Sequence, residues 1–99
     1  MDRLYKAISD PTRREIVRLL RKHGELNLSE VAEHFELTKP TLSNHLKVLT
    51  DTGLLIRDKR GREVFFTINT SVAEDLLTEL AGVFFGEEGE QISQEFGYE

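Results

Sequence analysis

The chain contains no cysteine, which excludes disulfide bonds, thiolate metal sites and cysteine nucleophiles. Long apolar runs are absent as well, so no transmembrane helix is expected, and the N-terminus lacks the basic and then apolar pattern of a signal peptide. The 99 residues suffice for one domain with a small core, and such a core often gains stability from oligomerisation. These absences favour a soluble cytoplasmic protein.

Basic residues are missing from the last third of the chain. Residues 63–99 contain nine acidic residues and neither Lys nor Arg, and the whole chain has a net charge of −5. Residues 1–22 and 39–62, in contrast, each carry a net charge of +4. Because local potential governs docking more than net charge does, these two segments predict one basic surface suited to nucleic acid.

One segment in the middle of the chain predicts a well-defined helix. Thr38 suits an N-cap, and Pro40 falls in the first turn, where its missing N–H costs nothing. Leu42, Leu46 and Leu49 then recur at helical spacing as one narrow apolar stripe. The opposite face carries short hydrogen-bonding or cationic side chains, which suit base edges and phosphates in the major groove.

The polar face of this helix supplies candidate DNA contacts, the alternative being a merely solvated face. Asn44 lies nearly opposite the apolar stripe and can read adenine through two hydrogen bonds, whereas Lys47 can reach guanine or a phosphate. His45 lies nearer the stripe, so it either packs as a partly buried histidine or contacts DNA. The predicted contacts on this helix are Lys39, Pro40, Thr41, Ser43, Asn44, His45 and Lys47.

Three helices are predicted ahead of this segment. A short amphipathic helix covers residues 4–8, and a second begins with Asp10 as N-cap and runs to about Lys22. Asn27 has capping-box spacing to the glutamate three residues later and opens a short helix through Phe35. The next helix opens at residue 39, four positions after Phe35, which is helix–turn–helix spacing.

Two strands and a last helix are predicted after it. The strands lie within residues 55–68 around a basic turn, and a helix capped by Asn69 or Thr70 follows. The order α-α-α-α-β-β-α predicts a winged helix–turn–helix, mainly helical with a small β-hairpin. Its hairpin cations either keep the wing soluble or contact the minor groove and phosphates. These cations are Lys59, Arg60 and Arg62.

Two further groups of residues have alternative interpretations. Arg13 and Arg14 begin a helix, which is unfavourable for cations, so each indicates a specific partner: a phosphate or an acid of the same fold. Arg13 is included among the predicted DNA contacts. The apolar residues of the first and last helices form either ordinary core or a dimer interface. The predicted interface residues are Leu4, Ile8, Leu76, Leu80, Val83 and Phe84.

Four phrases of the sequence resemble a known family. They are AISDPTRREI at 7–16, LSEVA at 28–32, SNHLKVL at 43–49, and GLL at 53–55 leading into RGR at 60–62. In this order and spacing they resemble the ArsR-type winged-helix repressors over about residues 4–85. The resemblance implies a homodimer, formed through the first and last helices, that binds an inverted-repeat operator near a promoter.

The chain departs from that family at the positions that many members use to sense metals. Those members use two cysteines at the start of the helix before the recognition helix, or His and acidic ligands on the last helix. Here Asn27 and Ser29 occupy the first pair of positions, and no histidine follows His45. Because Zn²⁺ and related ions prefer Cys and His ligands, no metal or other cofactor is expected. The resemblance is thus stronger to metal-independent, SdpR-type autorepressors.

An enzyme is not expected, because the sequence contains no nucleophile–base pair, phosphate-binding glycine loop or metal cluster. The resemblance implies a DNA-binding transcriptional repressor formed by residues 1–85, followed by an acidic, flexible tail at 86–99. Its partners would be double-stranded DNA with a palindromic operator and a second copy of the chain. The inducer stays open: a small molecule, a sequestering protein or none. The alternative function is a winged-helix module that binds a protein partner, with an acidic C-terminal third suited to a basic one.

Overall fold

The computed structural model describes residues 1–86, and it confirms the predicted order of four helices, a hairpin and a fifth helix. The elements are α1 (Asp2–Ile8), α2 (Pro11–His23), β1 (Leu26–Asn27), α3 (Leu28–Ala32), α4 (Lys39–Asp51), β2 (Leu55–Arg60), β3 (Glu63–Ile68) and α5 (Thr70–Phe85). Strand β1 has only two residues and was not predicted. Apart from Gly86, the predicted acidic tail lies outside the described residues.

The chain forms two units, of which the first is Met1–Asn69 and the second begins at Thr70. In the first unit, α4 packs against α1, α2, α3 and β2. Its apolar stripe is buried as predicted, with Leu42, Leu46 and Leu49 no more than 1% exposed. Full burial of one leucine contributes roughly 1.5–3 kcal/mol, so the stripe fixes the rotation of α4 and leaves its polar face outward.

Side-chain caps start the helices where the sequence predicts. The Thr38 hydroxyl accepts a hydrogen bond from the N–H of Thr41 at 3.3 Å. The Asp10 carboxylate accepts one from the N–H of Arg13 at 3.1 Å, and this bond lowers the pKa of Asp10 below its ordinary value of 3.8. The charged cap therefore stabilises the fold above that ordinary pKa, and the stabilisation is lost as the pH falls through the lower, folded-state value.

The helix α3 ends earlier than predicted. Its start is correct, because Asn27 and Glu30 form a reciprocal capping box with bonds of 2.8 and 2.9 Å. The prediction that it continues through Phe35 is wrong, since α3 ends at Ala32. The N–H groups of His34 and Phe35 bond carbonyls three positions back, which tightens the last turn and ends the helix. Six residues, 33–38, therefore connect α3 to α4.

The three strands form an antiparallel sheet in the order β1-β3-β2. Side chains alternate between the two faces of a strand, and directly paired residues lie on the same face. Leu26 and Arg57 both pair with Phe66, so these three side chains lie on the same face of the sheet. This face packs on the core at Leu26 and Phe66, which are buried, and continues along β2 to Arg57. The opposite face carries Asp58 and Arg60 from β2. This alternation separates the cations of the hairpin into two groups.

We expect Asn27→Ala to lower the free energy of unfolding by about 1 kcal/mol, because it removes the cap on the N–H of Glu30. It also removes a 3.3 Å bond from the Asn27 amide to Glu63. Urea unfolding followed by circular dichroism measures the change. Asn44→Ala serves as a control, since that exposed side chain makes no hydrogen bond within residues 1–86, and it should change stability by less than about 0.5 kcal/mol. Equal stability of Asn27→Ala and the parent would contradict this assignment.

Candidate nucleic-acid interface

The polar face of α4 is exposed and short of internal partners. The exposed candidates are Lys39, Pro40, Thr41, Ser43, Asn44 and Lys47. Ser43 and Asn44 make no side-chain hydrogen bond in the part of the chain that the structure describes. The Lys47 ammonium lies 2.7 Å from the Asp51 carboxylate, one helical turn further on. The Ser43 hydroxyl and the Asn44 amide are thus free for an external partner, whereas Lys47 must exchange an internal one and the Thr41 hydroxyl already accepts a bond from Thr38.

His45 is half-buried and bonds an arginine of another helix. The guanidinium of Arg13 lies 3.2 Å from Nδ1 of His45. Because a guanidinium has only donors, Nδ1 is the acceptor in this bond. His45 therefore packs against α2 as a partly buried side chain, which is one of its two predicted roles, and its contact with DNA stays a prediction.

Arg13 and Arg14 complete the C-terminal end of α1. The Arg13 side chain donates to the carbonyls of Ala7 at 2.6 Å and Lys6 at 3.5 Å. The Arg14 side chain donates to the carbonyls of Ile8 and Ser9, both at 2.9 Å. The last carbonyls of a helix have no partner within that helix, so these guanidiniums satisfy four of them. The partners are thus carbonyls rather than the predicted acid, and a phosphate contact of Arg13 stays a prediction.

The three predicted wing cations differ in their surroundings. Arg60 is paired with Asp58 at 2.8 Å and with Glu25, and its guanidinium lies 4.3 Å from the ring centroid of Phe65. The hydrogen bond to Asp58 raises the pKa of Arg60. Lys59 and Arg62 are exposed and make no side-chain hydrogen bond or ion pair within the described residues. Arg60 therefore anchors the hairpin to the segment before β1, and the other two are free.

Sequence reasoning missed Arg57, which lines a cleft between α4 and the hairpin. This helix–wing cleft has a volume of about 370 Å³ and is lined by Ser43, Lys47, Thr50, Asp51, Arg57 and Phe66. The side chain of Arg57 is exposed and makes no hydrogen bond or ion pair within residues 1–86. The alternation of side chains along β2 indicates this position, because Leu55 lies two residues before Arg57 and is buried. The two side chains therefore lie on the same face of the strand.

The predicted dimer residues fall into three classes of exposure. In α1, Leu4 is buried and Ile8 is half-buried; in α5, Leu76 and Leu80 are half-buried. Val83 and Phe84 are 65% and 74% exposed. Two large residues that were not predicted, Leu77 and Phe85, are also exposed on α5. The helix thus presents apolar area that residues 1–86 leave in contact with water.

The positions of the family's sensing cysteines serve other purposes here. The Asn27 side chain caps α3, and the Ser29 hydroxyl lies 3.4 Å from the Lys39 ammonium. Residues 1–86 contain no cluster of three or more His, Cys, Asp or Glu side chains placed to bind a metal ion. His23 and His34 are neighbours, with ring centroids 5.6 Å apart. None of the described helices has the length and apolarity needed to span a membrane.

The sequence and the fold match known transcriptional regulators. Residues 10–57 match the family described as bacterial regulatory protein, arsR family. The transcriptional repressor SdpR of Bacillus subtilis is 40% identical over 75 residues, covering 76% of this chain and 82% of that protein. The arsenical resistance operon repressor of Staphylococcus aureus is 36% identical over 78% of this chain and 73% of its own length. The crystal structure of the transcriptional repressor PagR of Bacillus anthracis superposes with a TM-score of 0.65 and 31% identity, covering 78% of this chain and 87% of that one.

We expect Arg13→Ala to lower the free energy of unfolding by about 1–3 kcal/mol, because it leaves the Ala7 carbonyl and Nδ1 of His45 without their donor in a partly buried site. Arg14→Ala is the matched control. It removes two bonds to carbonyls at an exposed site, where water replaces the donor, and should cost less than about 1 kcal/mol. Urea unfolding of both variants makes the comparison, and equal losses would contradict a special role of Arg13.

Proposed function

This chain belongs to the arsR family of DNA-binding bacterial regulatory proteins, and we propose that it represses transcription by binding an inverted-repeat operator as a homodimer. The family consists of transcriptional regulators rather than enzymes. A cytoplasmic location accords with a target on chromosomal DNA. Occupying the operator would exclude RNA polymerase sterically, which requires no chemistry from the protein.

The observation that carries this proposal is the contrast between the two faces of α4. One face is buried through Leu42, Leu46 and Leu49, and the other presents Ser43 and Asn44 without internal hydrogen bonds. A helix held this way can insert its polar face into the major groove as a rigid element. The amide of Asn44 can then bond N6 and N7 of an adenine, while Thr41, Lys47 and Lys39 at the edges reach neighbouring bases or phosphates.

The hairpin supplies the second contact. Lys59 and Arg62 lie beside the turn at Gly61, whose φ of +62° suits glycine. Both side chains are exposed and have no acidic partner within the described residues, so they can reach a phosphate or the minor groove. Arg60 would need to leave Asp58 and Glu25 first, and in this proposal it holds the hairpin in place instead.

The exposed apolar residues of α5 support a dimer. Val83 and Phe84 are among the most exposed large side chains, and burying them against a second copy would remove apolar area from water. In a two-fold symmetric dimer the two copies of α4 point in opposite directions. Each copy can then contact one half of an inverted repeat. The half-buried side chains of Ile8, Leu76 and Leu80 are further candidates for this interface.

Metal independence is also proposed. Asn27 and Ser29 lack thiolates, and the capping box already uses the Asn27 side chain. The arsenical resistance operon repressor of Staphylococcus aureus is named for arsenic resistance, whereas the repressor SdpR is not named for a metal. The chemistry of Asn27 and Ser29 favours regulation of the second kind.

Genomic footprinting of the purified protein, with and without added Zn²⁺, tests the function directly. The expected result is protection of one or a few palindromic sites that is unchanged by Zn²⁺. Protection without any preferred sequence would contradict an operator-specific repressor and favour the protein-binding alternative. Loss of protection on adding Zn²⁺ would contradict metal independence.

We expect Asn44→Ala to reduce discrimination at one base position of each half-site by roughly 1–3 kcal/mol, because two hydrogen bonds to that base are lost. Binding to a panel of single-base operator variants measures the effect. Glu33→Ala provides a control, since Glu33 is exposed and lies outside α4 and the hairpin. An unchanged preference of Asn44→Ala at every position would show that Asn44 does not read the sequence.

We expect Phe84→Glu to weaken dimerisation by on the order of 2 kcal/mol, because a charge would enter an apolar interface. Sedimentation equilibrium measures the association constant. Thr78→Glu introduces the same charge at an exposed polar position of α5 and should leave the constant unchanged. Equal association of all three proteins would place the dimer interface elsewhere.

A further inference from the structure

Arg57 occupies an unusual position for an unpaired cation. Its side chain lies on the face of the sheet that Leu55 and Phe66 share, and both of those residues are buried. Strand β2 is at the edge of the sheet, so this face extends beyond the core towards α4. Arg57 therefore lines the helix–wing cleft together with Ser43 and Lys47 of the recognition helix.

The cleft combines groups that bind an anion. It contains two cations, Arg57 and Lys47, and the free hydroxyl of Ser43, whereas the Thr50 hydroxyl already donates its hydrogen to the Leu46 carbonyl at 2.7 Å. The one acid in its lining, Asp51, pairs with Lys47 at 2.7 Å. The Lys47 side chain is 71% exposed and that of Asp51 is 44% exposed, and exposed pairs contribute little to stability, so an anion can draw the Lys47 ammonium towards itself at small cost. Arg57 has no hydrogen-bond or ion-pair partner within residues 1–86 to give up.

The docking geometry identifies the anion. With α4 in the major groove and the hairpin at the adjacent minor groove, the element between them is the sugar–phosphate backbone that borders both grooves. That backbone must then cross the helix–wing cleft. A guanidinium offers several N–H donors in a planar fork, which matches two oxygens of one phosphate.

We propose that the helix–wing cleft seats one backbone phosphate of each operator half-site, with Arg57 as its main ligand and Ser43 and Lys47 as the helix-side ligands. This inference rests on the proposed function. The contact adds affinity without sequence information, and it fixes the spacing between the major-groove and minor-groove contacts. Arg57 is thereby a positioning contact of the DNA complex.

The test combines Arg57→Gln with an operator in which single phosphates are replaced, one at a time, by neutral methylphosphonates. Parent protein is expected to lose on the order of tenfold in affinity at one phosphate between the two groove contacts. Arg57→Gln removes the contact in both half-sites, so it should lose on the order of a hundredfold in affinity on unmodified DNA and little more when either of those phosphates is replaced, because the two changes remove the same interaction. Arg21→Gln, which removes the same charge from an exposed position of α2, should behave as the parent does.

Salt dependence gives an independent readout. The logarithm of the binding constant changes with the logarithm of salt concentration by about 0.9 for each phosphate contact on duplex DNA. Arg57→Gln should therefore flatten the slope by about 1.8 for a dimer with two half-sites, and it should weaken operator and random DNA by similar factors.

Three results would overturn the inference. If Arg57→Gln binds the operator with the same affinity and the same salt dependence as the parent, no phosphate occupies the cleft in the complex. A loss restricted to one base pair would show a base contact instead of a phosphate contact. If the parent protein binds no duplex DNA, the proposed function is overturned as well. This outcome differs from the first two results, in which the parent still binds DNA. Urea unfolding of Arg57→Gln confirms that the variant is folded, as its exposed side chain leads us to expect.

Discussion

The burial of one leucine stripe on α4 is the constraint on which the rest of the structure depends. Leu42, Leu46 and Leu49 lie at the centre of the first unit, where α4 meets three helices and β2. Three fully buried leucines hold the helix at one rotation about its axis, and that rotation alone decides which side chains face outward. The binding face of α4 therefore follows from its packing, and a slip by two residues would put a leucine of the stripe in the place of Asn44.

The two arginines that follow Asp10 connect this helix to the N-terminal part of the chain. Arg13 bonds carbonyls at the end of α1, lies on α2 and contacts His45 of α4, so one side chain links three helices. A cation in the first turn of α2 opposes the helix dipole. Five directional bonds to carbonyls and a ring nitrogen, shared by Arg13 and Arg14, offset that penalty. The two arginines at the start of α2 therefore stabilise the contacts between helices, and the helix-dipole rule applied to the sequence alone does not predict this role.

The sequence predicts those parts of the fold that local patterns determine. Helix starts at Asp10, Asn27 and Thr38 are readable because each cap bonds an N–H only three residues away. What it does not predict depends on residues far apart in the chain. Strand β1 exists because Leu26 pairs with Phe66, and Arg60 is held partly by Glu25. For the same reason the place of Arg57 in the cleft and the carbonyl partners of Arg13 were not predicted, since both depend on residues outside the local sequence pattern.

The pleat of the hairpin explains how an acidic chain can present a basic surface. Asp58 and Glu63 lie on the face of the sheet that Arg60 shares, and there Glu25 completes an acid-rich cluster around that one cation. Arg57 and Lys59 lie on the other face, towards α4, without an ion pair in the described residues. Fields of exposed charges fall off over about 8 Å at physiological salt. The electrostatic potential at the helix–wing cleft is thus set by the nearest side chains. Which charged side chains of β2 face the cleft depends on their alternation between the two faces of the sheet, and the net charge of −5 has little influence there.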